Sequence, residues 1–340
     1  MTMTIRAQPR PAVYAADGRS CWVLSDGKAG TENQCIGLAA AVGYEFDIKR
    51  IVPRNPWRHL PARTMTLIAG SSPGRFLRHE GDALTPPWPD LLIASGRASV
   101  GPAVAIRRVS GGRTFTVQLQ DPRVSPRLFD LVVPPQHDRV EGTNVISTLG
   151  ALNRVTPAKL DEAAGSFAEM VEHLPHPRVA VLIGGASRAY RMSDSDATNL
   201  LSGLDQLMTA EGAGLMVTAS RRTSSDNAAR FRTALQDKPA VMWDGSGDNP
   251  YFGFLGLADA IVVTADSVSM TSEACSTGKP VYVAELSCGS AKFEHFHATL
   301  ADQAYTRPFK GTLSSEPGRR LDETAMIANE VRRRLGHTAS

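Results

Sequence analysis

Short apolar, β-branched runs recur along this chain, and between them lie stretches whose apolar positions return every third or fourth residue. The first kind reads as buried strand and the second as helix, and their alternation predicts parallel sheets built from βαβ units. In the first half the strand segments are 21–25, 46–52, 64–70, 90–95, 114–120 and 130–133. Helices are predicted over 31–42, closed by Gly43, and over 101–109, ahead of Gly111 and Gly112, because glycine takes the left-handed conformation that ends a helix. The Pro- and Gly-rich segment 72–89 reads as a loop.

The same grammar restarts after Pro175–His176–Pro177. A helix over 157–173 precedes that tripeptide, and a clean strand, 179–183, follows it. Further strands fall near 215–219, 240–243, 260–264 and 281–284. A boundary within 150–178 therefore divides the chain into an extension (1–20), a first α/β domain (21–160) and a second (161–318). In a final helix, 321–335, Leu321, Ala325, Ala328, Val331 and Leu335 form an apolar stripe that must pack on something. The expected partner is the first domain, which makes 319–340 a returning segment.

A length of 340 residues fits two cores better than one. The 37 basic and 34 acidic residues leave a net charge of +3, which gives no footprint for nucleic acid. Arg332–Arg333–Arg334 fits the negative end of a helix dipole. Cys21, Cys35, Cys275 and Cys288 are far apart, without a CxxC pair or histidines at ligand spacing, so neither a metal nor a disulfide is expected. His295 and His297 are too close in sequence to share one helix face and have no evident third ligand, so they read as structural or substrate-side. With no apolar leader segment and no apolar run of about 20 residues, the expectation is a cytoplasmic protein.

Candidate chemistry concentrates where strands give way to helices. The segment 260–283 reads as strand, loop, helix, Gly278 cap and strand. Its helix start would aim free N–H groups, with hydroxyls from Ser267, Ser269 and Thr271 and the backbone of Met270, at the carboxyl edge of the sheet, a natural place for phosphate. Glu273, four residues past Ser269 on the same face, could accept hydrogen bonds from ribose hydroxyls. A plain capped helix explains the same residues equally well.

This segment resembles the nucleotide-binding unit of GT-B glycosyltransferases, and the whole chain resembles the mitochondrial-fission Elm (elongated mitochondria) family. The motifs that carry the second resemblance are Ser25–Asp–Gly–Lys–Ala–Gly–Thr–Glu–Asn–Gln34, Gln120–Asp–Pro–Arg123, Ile183–Gly–Gly185, Asn249–Pro–Tyr–Phe252 and Thr264–Ala–Asp–Ser–Val–Ser–Met–Thr–Ser–Glu273, in that order. The resemblance implies a GT-B-like fold, with two Rossmann-like domains whose parallel sheets face a central cleft. By the same analogy Asn249 or Tyr251 contacts a nucleotide base. Eukaryotic relatives are associated with recruiting the organelle-division machinery, so the resemblance settles no reaction.

The remaining loops supply the other roles. In 25–34, Asp26 or Glu32 could act as general base and Lys28 could meet phosphate, although the spacing is not that of a P-loop. Gln120 and Asp121 leave a strand end, and Asp121 is a third candidate base. Ser95–Gly96–Arg97 follows another strand. Gly184 and Gly185 would let backbone approach a diphosphate, with Ser187 and Arg188 beside them, and Arg221 and Arg222 add charge. These residues together suggest a metal-independent glycosyltransferase-like protein that takes a nucleoside-diphosphate sugar as co-substrate in the interdomain cleft, with an unidentified acceptor. The alternatives are a nucleotide-sugar epimerase and a non-catalytic adaptor with a protein partner or membrane surface.

Overall fold

The computed structural model describes residues 18–55, 59–70, 72–75, 77–186 and 190–337. They form two compact units. Unit 1 comprises residues up to Pro134, Asp138–Ser147 and Thr324 onward, and unit 2 comprises Pro135–His137 and Thr148–Glu323.

Unit 1 holds the order β1 (Ser20–Ser25), α1 (Ala29–Val42), β2 (Glu45–Arg50), α2 (Ala62–Ala69), β3 (Leu91–Ser95), α3 (Arg97–Val109), β4 (Phe115–Leu119) and β5 (Leu131–Val133). Its sheet runs β2-β1-β3-β4-β5, parallel throughout. Because β1 and β3 are covered on both faces, their residues are almost all buried, as an all-parallel sheet requires. The edge strand β2 alternates instead, with exposed Glu45, Asp47 and Arg50. Trp22, Leu24, Leu92, Ala94 and Val132 build the core on one face, closed by Val100, Val104 and Ile106 of α3.

One expectation fails here: 64–70 is not a strand but lies in helix α2. The buried positions Ala62, Met65 and Thr66 are three and four apart, while Leu67 is 80% exposed. That is helical spacing on one buried face, and a strand in a parallel sheet would not turn a leucine to water.

Unit 2 begins ahead of α4 (Pro157–Val171), with the change of unit at 147/148. It continues through β6 (Arg178–Ile183), α5 (Asp194–Glu211), β7 (Gly214–Ala219), α6 (Ser225–Leu235), β8 (Ala240–Met242) and α7 (Tyr251–Leu257). Then follow β9 (Ala260–Thr264), α8 (Val268–Ser276), β10 (Val281–Ala284), α9 (Ala291–Asp302) and the short β11 (Arg307–Pro308). The sheet order is β11-β10-β9-β6-β7-β8, again parallel. Successive residues feed opposite cores: Ala180, Leu182, Ile261 and Val263 on one face, Val179, Val181, Val262 and Tyr282 on the other.

Helix α10 (Glu323–His337) brings the chain back to unit 1. Ile327, Ala328, Val331 and Leu335 are buried, and Ala325 only partly so. The Arg332 guanidinium donates to the carbonyls of Ala41 and Val42 at the end of α1, and Arg334 donates to that of Asp130. The arginine run thus ties carbonyls that lack helical partners. Among the described residues no helix is long and apolar enough to cross a membrane.

Candidate functional site

In each sheet the strand order reverses at one place, between β1 and β3 in unit 1 and between β6 and β9 in unit 2. Loops leaving the carboxyl ends of such neighbours run in opposite directions and leave a crevice, where open α/β sheets take ligands.

In unit 2 that crevice is tightly built. The Asp266 carboxylate accepts the Gly185 N–H at 2.7 Å and the Thr264 hydroxyl at 2.6 Å, and Thr264 Oγ1 accepts the Gly184 N–H at 2.8 Å. The Thr223 hydroxyl donates to the Gly184 carbonyl, and the Ala186 N–H to that of Arg222. A Cβ on Gly184 would lie 2.1 Å from Asp266 Oδ2, and one on Gly185 would lie 2.0 Å from the Arg222 carbonyl carbon. The packing of three loops against one another therefore requires glycine at both positions. Burial pushes the Asp266 carboxyl up, against the pull of its hydrogen bonds and of Arg222. Ser187 and Arg188 lie outside the described residues.

Helix α8 starts directly beyond Asp266. Ser267 caps it, its hydroxyl accepting the Met270 N–H at 3.3 Å. The N–H groups of Val268 and Ser269, in the first turn, have no acceptor among the described residues, and Ser269 and Met270 are partly exposed. Thr271 is different. Its hydroxyl donates to the Ser267 carbonyl and the residue is fully buried, so it braces the helix. Arg221 is exposed at the end of the neighbouring loop and forms no ion pair among the described residues.

Glu273 lies further along α8, and its carboxylate accepts the Tyr251 hydroxyl at 2.6 Å. Burial raises this carboxyl, while Tyr251, Lys159 and Arg154 favour its charged form. Lys159 is pushed down to about 8 by burial and by Arg154, and its ammonium lies 4.0 Å from the Phe252 ring centre. Arg154 lies just ahead of α4 and Lys159 in its first turn, so neither is marked by a strand end in the sequence. Asn249 accepts the Tyr251 N–H at 3.0 Å and so caps α7.

In unit 1, Asp26 and Lys28 after β1 and Arg97 after β3 line one cavity of about 260 Å³ with Pro53, Leu60, Met65, Leu77 and Ala98. Two loops singled out separately in the sequence thus meet. Asp26 pairs with Lys28. Glu32 is held by Arg50 through two hydrogen bonds of 2.9 and 3.0 Å, and this pairing pulls its carboxyl below the usual value. A carboxylate so engaged makes a poor proton acceptor, and Glu32 serves as a brace between α1 and β2. Asp121 pairs with Arg123 at 2.9 Å and accepts that residue's N–H, in a turn where Gln120 and Arg123 adopt left-handed backbone (φ 66° and 58°). Asp26 remains the candidate base that faces a cavity.

Among the described residues no group of three or more His, Cys, Asp or Glu side chains could hold a metal ion. His297 has a structural bond, Nε2 to the Ala265 carbonyl at 2.7 Å. Cys21, Cys35 and Cys275 are buried thiols, and Cys288 is exposed.

Known proteins share this fold. The chain resembles the UDP-GlcNAc 2-epimerase of Methanocaldococcus jannaschii with a TM-score of 0.51 and 12% identity, over 92% of this chain and 91% of that one. The MurG of Acinetobacter baumannii gives a TM-score of 0.47 and 13% identity, over 93% and 90%. The fold is GT-B. In sequence the chain is 30% identical to the mitochondrial fission protein ELM1 of Arabidopsis thaliana, over 93% of this chain and 91% of that protein. It is 25% identical to an uncharacterized protein of Rickettsia prowazekii, over 86% and 91%. Residues 29–335 match the family described as mitochondrial fission ELM1, and the chain belongs to that family.

Proposed function

We propose that unit 2 binds a nucleoside-diphosphate sugar at the β6/β9 crevice and that the protein acts on it as a metal-independent, glycosyltransferase-like enzyme. The observation that carries this reading is the locked Gly184–Gly185–Asp266 junction beside the unpartnered N–H groups of Val268 and Ser269. In this reading the diphosphate takes those N–H groups and Arg221, whose positive charge also stabilises it as a leaving group. Glu273, with Arg154 and Lys159 beside it to oppose the effect of burial, accepts the ribose hydroxyls, and Tyr251 and Asn249 stand by the base. In unit 1, Asp26 serves as base toward the acceptor hydroxyl.

Two other readings have their own support. The Methanocaldococcus neighbour is an epimerase of UDP-GlcNAc, which makes that compound the first probe. The Arabidopsis relative is named for mitochondrial fission, which favours an adaptor that binds without turnover. Calorimetry with UDP-GlcNAc and other nucleotide sugars on wild type and Glu273→Ala tests the site. Saturable binding, weakened about 10- to 100-fold in the variant, is the expected outcome. Proton NMR of the ligand then separates the chemistries: UDP release that depends on an acceptor marks transfer, and a 2-epimer marks epimerisation. Absence of binding by every nucleotide sugar overturns the donor site and leaves the adaptor.

A further inference from the structure

A second cavity in unit 2, of about 520 Å³, lies beyond the β10 end, between that strand, β11 and α9. Its size is in the range of small-molecule sites. Val283, Leu286, Ala298 and Pro308 give it an apolar wall. Glu285 and Glu294 also line it, and among the described residues neither carboxylate has a hydrogen-bond or ion-pair partner. The cation of the cavity, Arg307, is already neutralised by Glu316 at 3.1 Å and donates again to the Pro317 carbonyl. Ser287 is also committed, through its N–H and hydroxyl, to Asp196.

Tyr190 and Thr306 contribute hydroxyls, and one further group is an acceptor. His297 lines the cavity, and with Nε2 donating to the Ala265 carbonyl its other nitrogen carries a lone pair. That Nδ1 is buried and has no partner. Burial holds the imidazole below its usual value, which keeps it neutral. Asp266 and Glu285 act on His297, and Asp266 and Glu294 act on Tyr190, so three carboxylates set the local potential. The cavity therefore offers negative charge, hydrogen-bond acceptors and an apolar wall, and its cation is spent. A diphosphate would be repelled there. A protonated amine carried on a compact body with an apolar face matches every one of these features.

We infer that this cavity is a binding site for a small organic amine, such as an amino sugar, held between Glu285 and Glu294 and against the Val283–Leu286 wall. The inference does not depend on nucleotide binding at the β6/β9 crevice. Cys288 provides the test, because it lines the cavity and is the exposed cysteine of the four. Alkylation of Cys288 by iodoacetamide, followed by peptide mass spectrometry, reports occupancy. Glucosamine should slow the labelling several-fold and saturably, while glucose, of nearly the same shape but neutral, should leave it unchanged. In a Glu285→Gln/Glu294→Gln variant, shown by its melting curve to be folded, the protection should vanish. Equal protection by glucose would overturn the inference, as would an unaltered rate at saturating glucosamine or protection that survives in the variant.

Discussion

At the scale of single residues, the pair Tyr251–Glu273 is the most exacting contact described. A carboxylate withdrawn from water needs its hydrogen bond, and leaving it short of a donor costs about 1–3 kcal/mol. Tyr251→Phe is therefore expected to lower stability by about that amount in urea unfolding, whereas Glu273→Gln in the same background should recover part of it. A double-mutant cycle reads the coupling. Gly185→Ala would place a methyl 2.0 Å from backbone, so a loss of about 1–3 kcal/mol or more is expected in the same measurement. The sequence made Gly184, Gly185 and Glu273 visible as site residues because they stand at strand ends and on a helix face. It could not show that Asp266 is the acceptor on which the glycine loop closes. Nor could it show that Arg154 and Lys159 reach Glu273. Such partners are more than 80 residues apart in the chain and leave no local periodicity.

At the scale of elements, α2 and α10 are opposite cases. The α10 stripe has helical spacing, so most of its apolar face was legible, but Leu321 lies ahead of the helix and joins the unit 2 core, and Ile327 takes a buried place on the helix. In α2 the run Met-Thr-Leu-Ile-Ala is too short for its period to decide, and burial of Ala62 with Met65 tips it to helix. Leu67→Lys should accordingly change stability by less than about 0.5 kcal/mol, a result a buried strand would not permit. On α10 the Glu330 carboxylate, bracketed by Arg333 and Arg334, is held at about 2 against an ordinary 4.5. A depressed carboxyl stabilises the fold above its unfolded value and loses that contribution as pH falls toward 2. These are surface pairs, screened by solvent, so their contribution is small. Glu330→Gln should thus melt slightly lower than wild type at pH 7, and the two curves should draw together as pH falls from about 4.5 and converge only near pH 2.

For the whole molecule, the two restarts of the βαβ pattern were enough to foresee two parallel α/β units, because buried strands announce themselves by composition. The junction was harder to place. It precedes α4, whose Leu160 and Val171 join the unit 2 core, and a proline-bounded helix looks the same on either side of a boundary. Unit 1 is finished by α10, which contributes four buried side chains and ties down the carbonyls of Ala41, Val42 and Asp130. Deleting residues 323–340 should leave unit 1 open, and limited proteolysis should then cut first within residues 18–134 while fragments of unit 2 persist. Equal rates of cleavage in both units would show that α10 is not what completes unit 1.

The return of α10 also fixes an order of events during translation. Unit 2 has all its strands as soon as they leave the ribosome, but unit 1, begun first, stays without one wall until the whole of unit 2 has been made. Ribosomes extend chains at about 5–20 residues per second, so the incomplete unit waits on the order of ten seconds or more with apolar surface uncovered. During that interval it is a natural client for chaperones, and a message broken anywhere within unit 2 yields a product that proteases can recognise by its unfinished first half.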